Sequence, residues 1–412
     1  MWALKASQAA GRPFSAYEDI HYVALDIILA AAFGIQLEDS TTQKQYEFLQ
    51  LQPFLTGSSN SKNDPVSYDR IPVSKSRAAL IKVTGTVVVG YKSPFPRLHH
   101  WILRHTIWRE AFALKEEFIT HEIQNSVERL TSENKQGKRM RCAMDMMLQR
   151  EIGYARKEGR KPDINAPRMR DELFGYVATG HDTSSTTLSW IMKLLTDNSS
   201  SQAKLRRQLH TAYPEANAEK RQPTVMEIIE KPAPFLDAFL EECLRLAKTI
   251  PTILREALVD VNILGHSVPK GTGIIIYSHG PGGQLEPGFD ILETARSNTS
   301  QDSKDRVGEW NPDDISYFQP ERWLQRTPGI QRKGEFEGLE YNAHSGPILT
   351  FGGGPRGCFG KKLAYMELRI VLALLVWNFE FEACPRELSS YESIDTATVV
   401  PKQCYVRLRQ LL

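Results

Sequence analysis

The chain has 412 residues, 41% apolar and 24% charged, an ordinary globular composition that supplies a sizeable core and argues against wholesale disorder. Lys and Arg total 51 against 49 Asp and Glu, so no strong overall field draws the protein to nucleic acid or anionic lipid. Five cysteines, at 142, 243, 358, 384 and 404, are too few and too uneven for a disulfide framework or paired zinc clips, and the longest apolar runs, Ile27–Ile35 and Ile370–Trp377, fall short of the roughly 18 residues of a membrane helix.

The opening MWALKASQAAGRPF lacks the basic and apolar regions of a secretory signal. From Ala16 to Phe33, Ile20, Val23, Ala24, Ile27, Ile28, Ala31 and Ala32 recur at helical spacing before Gly34, which predicts a buried helix. Residues 52–75, rich in Gly, Ser, Asn and Pro, read as loop, and the β-branched segment Val83–Tyr91 reads as a strand or buried segment. Ile107–Arg129, Lys138–Lys157 and Met169–Asp197 are long amphipathic helices by pattern, with Pro162–Pro167 breaking between the last two. After Pro234 a helix is expected to about Lys248, and then short strands over Ile253–Ala257, Asp260–Leu264 and Thr272–Ser278, set off by Gly265 and Gly271. Residues 279–311 hold seven glycines and prolines and the run SNTSQDS, and they read as a surface insertion in a single domain spanning 1–412. Gly360–Trp377 is an apolar helix, and Glu380–Cys384 and Gln403–Arg409 close the chain as strands. The pattern is mainly α with small β-sheets, an α+β chain.

Residues 351–360 read Phe-Gly-Gly-Gly-Pro-Arg-Gly-Cys-Phe-Gly. Gly352, Gly354 and Gly357 satisfy the dinucleotide fingerprint, with Glu380 or Glu382 at the distance of a ribose-binding acid. Two features oppose that reading: Pro355 removes an amide from the phosphate nest, and no helix–strand alternation follows to build a nucleotide-binding half. A P-loop fails because Lys362 stands where Ser or Thr is needed. The alternative centres on Cys358. A cysteine just before a long helix sits where amides favour an anion, so a thiolate is expected there; small neighbours admit a flat partner and Arg356 offers a cation to an anionic group. These properties suit axial ligation of haem iron.

The run Phe351-x-x-Gly354-x-Arg356-x-Cys358-x-Gly360 resembles the haem-binding signature of the cytochrome P-450 family, the haem-thiolate monooxygenases, at every fixed position. Two other constellations share the resemblance. Glu242 and Arg245 lie three apart on one helical face, and Phe318–Trp323 supplies Arg322; in the family's order E-x-x-R, P-E-R and cysteine loop, these would form a Glu-Arg-Arg network supporting the thiolate. Arg255 matches an arginine that often contacts a haem propionate, although an edge-strand arginine explains it equally well. Thr179-Gly180-His181-Asp182-Thr183 matches the family's acid–alcohol pair, implying that Asp182 and Thr183 deliver protons and that Gly180 lets oxygen or substrate approach the backbone. Thr179 departs from the usual Ala or Gly, and His181 reads as an ordinary helix histidine. Five successive hydroxyl residues from Thr183 compete for backbone carbonyls, which predicts a locally opened helix. Lys361 and Lys362 sit in a first helical turn, where the macrodipole disfavours cations, so something local should compensate.

The resemblance runs from about Ala16 onward and implies a cytochrome P-450 fold lacking its N-terminal portion. Trp101–Arg104 only imitates the family's W-x-x-x-R element. It further implies haem b with Cys358 on iron, held also by Phe351, Gly352, Gly354, Arg356, Gly360 and Arg255, and electrons from NAD(P)H through a reductase. The expected reaction inserts one atom of O2 into a small hydrophobic substrate, in the manner of fungal natural-product members. An intracellular chain is expected, with a full-length relative anchored at the endoplasmic reticulum membrane. The rival reading is a truncated, non-catalytic remnant that binds haem weakly or not at all.

Overall fold

The computed structural model describes the chain apart from residues 53–60, 133–139, 280–285, 287, 290, 329–333 and 412. A short helix, α1 (Trp2–Ala9), and a two-residue strand, β1 (Phe14–Ser15), precede α2 (Tyr17–Phe33), which stops on Gly34 at φ +77°. Serines cap the next two helices: Ser40 accepts from the Gln43 amide to start α3 (Thr41–Leu51), and Ser74 accepts from the Arg77 amide to start α4 (Lys75–Thr84). The short α5 (Val89–Lys92) and α6 (Pro96–His105) lead into the long α7 (Arg109–Ser132), α8 (Ala143–Glu158) and α9 (Pro167–Asp197). α10 (Ser199–Ala212) and α11 (Pro214–Ala218) follow, then α12 (Val225–Glu230), opened by a capping box between Thr224 and Glu227, and α13 (Pro234–Leu246).

The remaining elements are β2 (Thr252–Glu256), β3 (Val261–Ile263), β4 (His266–Val268), β5 (Gly273–Tyr277), α14 (Asn298–Val307), β6 (Leu324–Arg326) and β7 (Leu339–Tyr341). The chain then runs through α15 (Lys361–Asn378), β8 (Phe379–Glu382), β9 (Ser393–Asp395), β10 (Val399–Pro401) and β11 (Tyr405–Gln410). The named strands pair antiparallel in small sheets, β2 with β5, β3 with β4, β6 with β7 and β9 with β10. The largest has the order β1–β11–β8, with Phe14 opposite Val406 and Leu408 opposite Phe381.

One apolar core gathers α10, α13, α15 and the C-terminal half of α9, and a second joins Leu25, Ile28 and Leu29 of α2 to α7, α8 and the N-terminal half of α9. α9 belongs to both. Its residues 184–196 are buried without interruption, the mark of a helix surrounded by protein on every side. Where α2 meets α9, Gly180 makes the approach: a Cβ there would come within 2.5 Å of Ile28 Cδ1.

Four sequence expectations change. Val83–Tyr91 is not a strand; α4 continues to Thr84, a 3₁₀ turn covers Gly85–Val88 and α5 follows. Buried Leu80 and Val83 anchor this segment, and Thr84 and Thr86 donate their hydroxyls back to the Leu80 and Val83 carbonyls, so tertiary packing overrides β-branched propensity. Segment 279–311 is not all loop, because α14 forms within it, capped by Ser297 and held by Lys304 pairing with Glu293 and Glu309. No residue of α14 is buried; parts of 279–311 lie outside the described residues. The hydroxyl run does not open α9, since Thr183, Ser185, Thr187 and Ser189 each donate to a carbonyl three or four residues back within a continuous helix. Gly180 serves the contact with Ile28 instead of an approach by oxygen or substrate.

Candidate active site

The cysteine loop is shaped by its glycines. Gly352 and Gly354 adopt φ +64° and +62°, which a side chain would strain, and a Cβ on Gly357 would lie 3.3 Å from the Gly354 carbonyl oxygen. The Cys358 amide donates to the Phe351 carbonyl at 2.8 Å, closing the loop at the start of α15. Cys358 is exposed, whereas Cys142, Cys243 and Cys404 are buried and Cys384 is half-buried. Burial raises all four of these thiols, Cys384 to about 11 and Cys404 to about 12, so they remain protonated and unreactive. Added Cβ atoms on Gly353 and Gly354 would meet nothing within 4 Å, so the loop presents an open, side-chain-free face beside the exposed thiol. That donor and that face fit a flat, metal-centred group.

Phe351 packs its ring 5.1 Å from Tyr365, and the Lys361 ammonium lies over both, 5.8 and 5.6 Å from the ring centres. The rings compensate the lysine's position at a helix start. Beneath them Glu241 accepts from the Tyr365 and Tyr341 hydroxyls at 2.6 and 2.8 Å, tying α13, β7 and α15 together. Burial raises the Glu241 carboxyl, opposed by these two phenols. Arg356 ends the exposed 3₁₀ turn of the loop, and Arg255, exposed on β2, donates to the Leu254 carbonyl.

Glu242, Arg245 and Arg322 meet in one network. Glu242 and Arg245 are both 0% exposed and form a two-pronged pair, Nε to Oε2 at 2.8 Å and Nη2 to Oε1 at 2.7 Å; Arg322 Nε reaches Oε1 at 3.1 Å. Sequence reasoning missed the rest: the Gln319 amide and Trp323 Nε1 also donate to Glu242, Arg245 and Arg322 both bond the Tyr317 carbonyl, and Trp310 lies across both guanidinium groups at 5.3 and 5.6 Å. Trp323 was legible as the neighbour of Arg322, but Trp310 carries no local signal.

On α9, Thr179 and Thr183 share one face, their hydroxyls bonded to the Gly175 and Thr179 carbonyls. Asp182 turns away from them: its Oδ2 accepts from Thr398 Oγ1 at 3.3 Å, and Thr398 is also bonded to Thr186. Burial raises the Asp182 carboxyl, opposed by His21 and by the Thr398 hydroxyl. His181 is buried against His21, and burial with that neighbour lowers it to about 3, leaving it neutral. Thr187 meets Thr249 at 2.9 Å just ahead of β2. Sequence reasoning also missed Glu367, the lone acid in the apolar run of α15, which accepts from Ser184 at 2.9 Å and is pushed up to about 7 by burial. The structure thus joins the Glu-Arg-Arg residues directly, while Asp182 and Thr183 remain neighbours facing different ways.

The family described as Cytochrome P450 matches residues 1–282 and 311–405. The chain belongs to this family and is a cytochrome P450 monooxygenase, of a class that works with haem, a thiolate ligand and a redox partner. It is 35% identical over 426 residues to the cytochrome P450 monooxygenase TRI13 of Fusarium sporotrichioides, covering 100% of this chain and 72% of the relative. The Hps1-dma1 cluster cytochrome P450 monooxygenase cyp3.1 of Dothistroma septosporum is 40% identical over 303 residues, 71% of this chain and 96% of that protein. The cytochrome P450 monooxygenase xilC of Penicillium rubens is 33% identical over 414 residues, 99% of this chain and 69% of that protein. The chain therefore resembles fungal natural-product members of the family. Among the described residues, no helix is long and apolar enough to cross a membrane.

Proposed function

We propose that this protein inserts one atom of O2 into a small hydrophobic organic molecule in fungal secondary metabolism, with Cys358 as the sulfur ligand of haem iron. The observation that carries this reading is the contrast among the cysteines: Cys358 is exposed on a glycine loop at a helix start, and the other four are withdrawn and held as thiols. Haem, when bound, supplies a redox-active iron whose thiolate ligand favours O–O cleavage. Phe351, Gly352, Gly354 and Gly360 shape the loop, and Arg356 and Arg255 offer cations to the propionates. The Glu242–Arg245–Arg322 network clamps α13 to the segment 315–323, which steadies the approach to the loop. Asp182 and Thr183 act in proton delivery from α9. The electron donor is an NADPH-dependent reductase, and a full-length relative would work at the endoplasmic reticulum membrane. The gap between the two matched segments, 283–310, supports reading residues 279–311 as a surface insertion in one domain.

Reduced-plus-CO difference spectroscopy tests the assignment. The thiolate-type Soret band should vanish in Cys358→Ala and Cys358→His and persist when Cys142, Cys243, Cys384 or Cys404 is replaced. A thiolate band surviving in Cys358→Ala overturns it.

A further inference from the structure

The hydroxyl run of α9 does not bond uniformly. Thr183, Ser185, Thr187 and Ser189 each turn back to a carbonyl of their own helix, but Ser184 and Thr186 reach outward, Ser184 to Glu367 and Thr186 to Thr398 at 2.8 Å. Thr398 stands in the turn between β9 and β10, where the Thr396 amide and hydroxyl both donate to its carbonyl at 2.8 Å. The next residue fixes this turn against α9. The Val399 amide donates to the Thr249 carbonyl at 3.0 Å, and Trp190 Nε1 of α9 donates to the Val399 carbonyl at 2.8 Å. Thr249 in turn meets Thr187 of α9 at 2.9 Å, so the turn is held from both sides of one helical face.

Braced in this way, Thr398 brings its hydroxyl to Asp182. Thr398 is 3% and Thr186 1% exposed, so bulk water does not compete for either hydroxyl. Thr398 owns a single hydroxyl proton. When Asp182 is ionised that proton goes to its Oδ2 at 3.3 Å, and the 2.8 Å bond must then be supplied by Thr186: Thr186 donates to Thr398, and Thr398 donates to the acid. A carboxylate only accepts, so its charge sets the direction of both hydroxyls behind it. Among the described residues no other side chain hydrogen-bonds the Asp182 carboxyl; from α2, His21 and Tyr17 meet its charge through space only.

We propose that Thr398 is the positioning residue of the α9 acid: its hydroxyl holds the Asp182 carboxylate toward the β9–β10 turn and away from the face that carries Thr183. Thr398 acts through Asp182, and Thr186 behind it keeps the hydroxyl aimed. The turn and the acid therefore move together, because the Val399 backbone bonds that place the turn also place the donor. The hydroxyl serves the charged form of the carboxyl, so it favours ionisation where burial opposes it. The proposal rests on the reading of Asp182 in proton delivery.

The test compares the full chain with Thr398→Val, Thr398→Ala, Thr398→Ser and Asp182→Asn. The first measurement is an infrared pH titration of the Asp182 carboxyl, recognised as the band lost in Asp182→Asn; it needs no haem. Valine keeps the shape and removes the donor, so the titration should rise by about one pH unit, and serine, which restores the donor, should return it to the parent value. A band that titrates at the parent pH in a folded Thr398→Val or Thr398→Ala chain overturns the proposal, as does a band moved as far by serine as by valine. If Thr398→Val does not fold, Thr398→Ala carries the test. The second measurement is peroxide released per NADPH consumed by the haem-loaded chain with a reductase, across pH, using O2 and NADPH alone as probes. Its pH profile should move with the band in Thr398→Val; a profile that stays in place while Asp182→Asn changes peroxide release also overturns the proposal. A shifted band with peroxide release unchanged in Asp182→Asn upholds Thr398 as the residue that positions this carboxyl and rejects Asp182 as the acid, which separates the two failures.

Discussion

Replacing Glu242 by alanine should be among the most damaging single changes in the chain. Its two carboxylate oxygens accept from Arg245 Nε and Nη2, Arg322 Nε, the Gln319 amide and Trp323 Nε1, at 2.7–3.1 Å. Alanine would leave the 0%-exposed Arg245 guanidinium without its counter-charge, although its bonds to the Ile315 and Tyr317 carbonyls survive. Arg322 is better placed, because Asp314 holds its Nη1 at 2.9 Å. The loss therefore falls mainly on Arg245, and breaking such a buried pair costs about 3–5 kcal/mol. Against a total stability of roughly 5–15 kcal/mol, about a fifth or more of the protein's margin goes with one side chain. Chemical denaturation followed by circular dichroism would measure the change, with the haem-to-protein ratio recorded on the same preparations. Arg322→Lys should be milder, since the charge facing Asp314 persists. A folded Glu242→Ala chain less than about 1 kcal/mol below the parent would refute the argument, because exposed ion pairs behave that way.

Thr183→Ala should change stability by less than about 1 kcal/mol, since its hydroxyl bonds only back along the helix and Ala is the better helix former; peroxide per NADPH should nevertheless rise, and an unchanged ratio would return Thr183 to an ordinary helix threonine. Glu367 titrates at about 7 in the folded chain against 4.5 when free, so as pH rises through this window the unfolded state releases the proton first and stability falls. Glu367→Gln, neutral throughout, should match the parent near pH 4 and exceed it near pH 8 by up to about 3 kcal/mol; parallel pH–stability curves would contradict this. Gly180→Ala should destabilise by about 1–3 kcal/mol through its clash with Ile28, and adding Ile28→Val should recover part of that loss, whereas strictly additive losses would show that the two positions do not touch.

The long helices were legible because their apolar residues recur without interruption: Ile20 to Ala32 reads as helix and folds as α2, and the patterns ending at Asp197 and Trp377 become α9 and α15. Val83–Tyr91 misled because valine and threonine favour strands on average, while here Leu80 and Val83 bury at helical spacing. α1 and α3 passed unnoticed, since α3 is mostly polar and takes its start from a serine cap rather than from an apolar stripe. At the site, the glycine loop and Glu242-x-x-Arg245 stood out because their spacing is local. The partners of Glu242 across the fold, Gln319, Trp323 and the Ile315 and Tyr317 carbonyls behind Arg245, are set by tertiary closure. The direction of Asp182 was equally hidden: one residue along a helix turns a side chain by about 100°, and that rotation sends its carboxyl to Thr398 instead of alongside Thr183.

The pairing of β1 with β11 joins positions near opposite ends of the chain, Phe14 to Val406 and Ser15 to Tyr405. On a ribosome adding about 5–20 residues per second, the first strand waits on the order of 20–80 s before its partner exists. Phe14 is 0% exposed in the finished structure, so during synthesis this aromatic side chain and its strand stand without their cover. β1 is thus made long before the strand that pairs with it, and through that interval the nascent chain exposes apolar surface of the kind that favours aggregation.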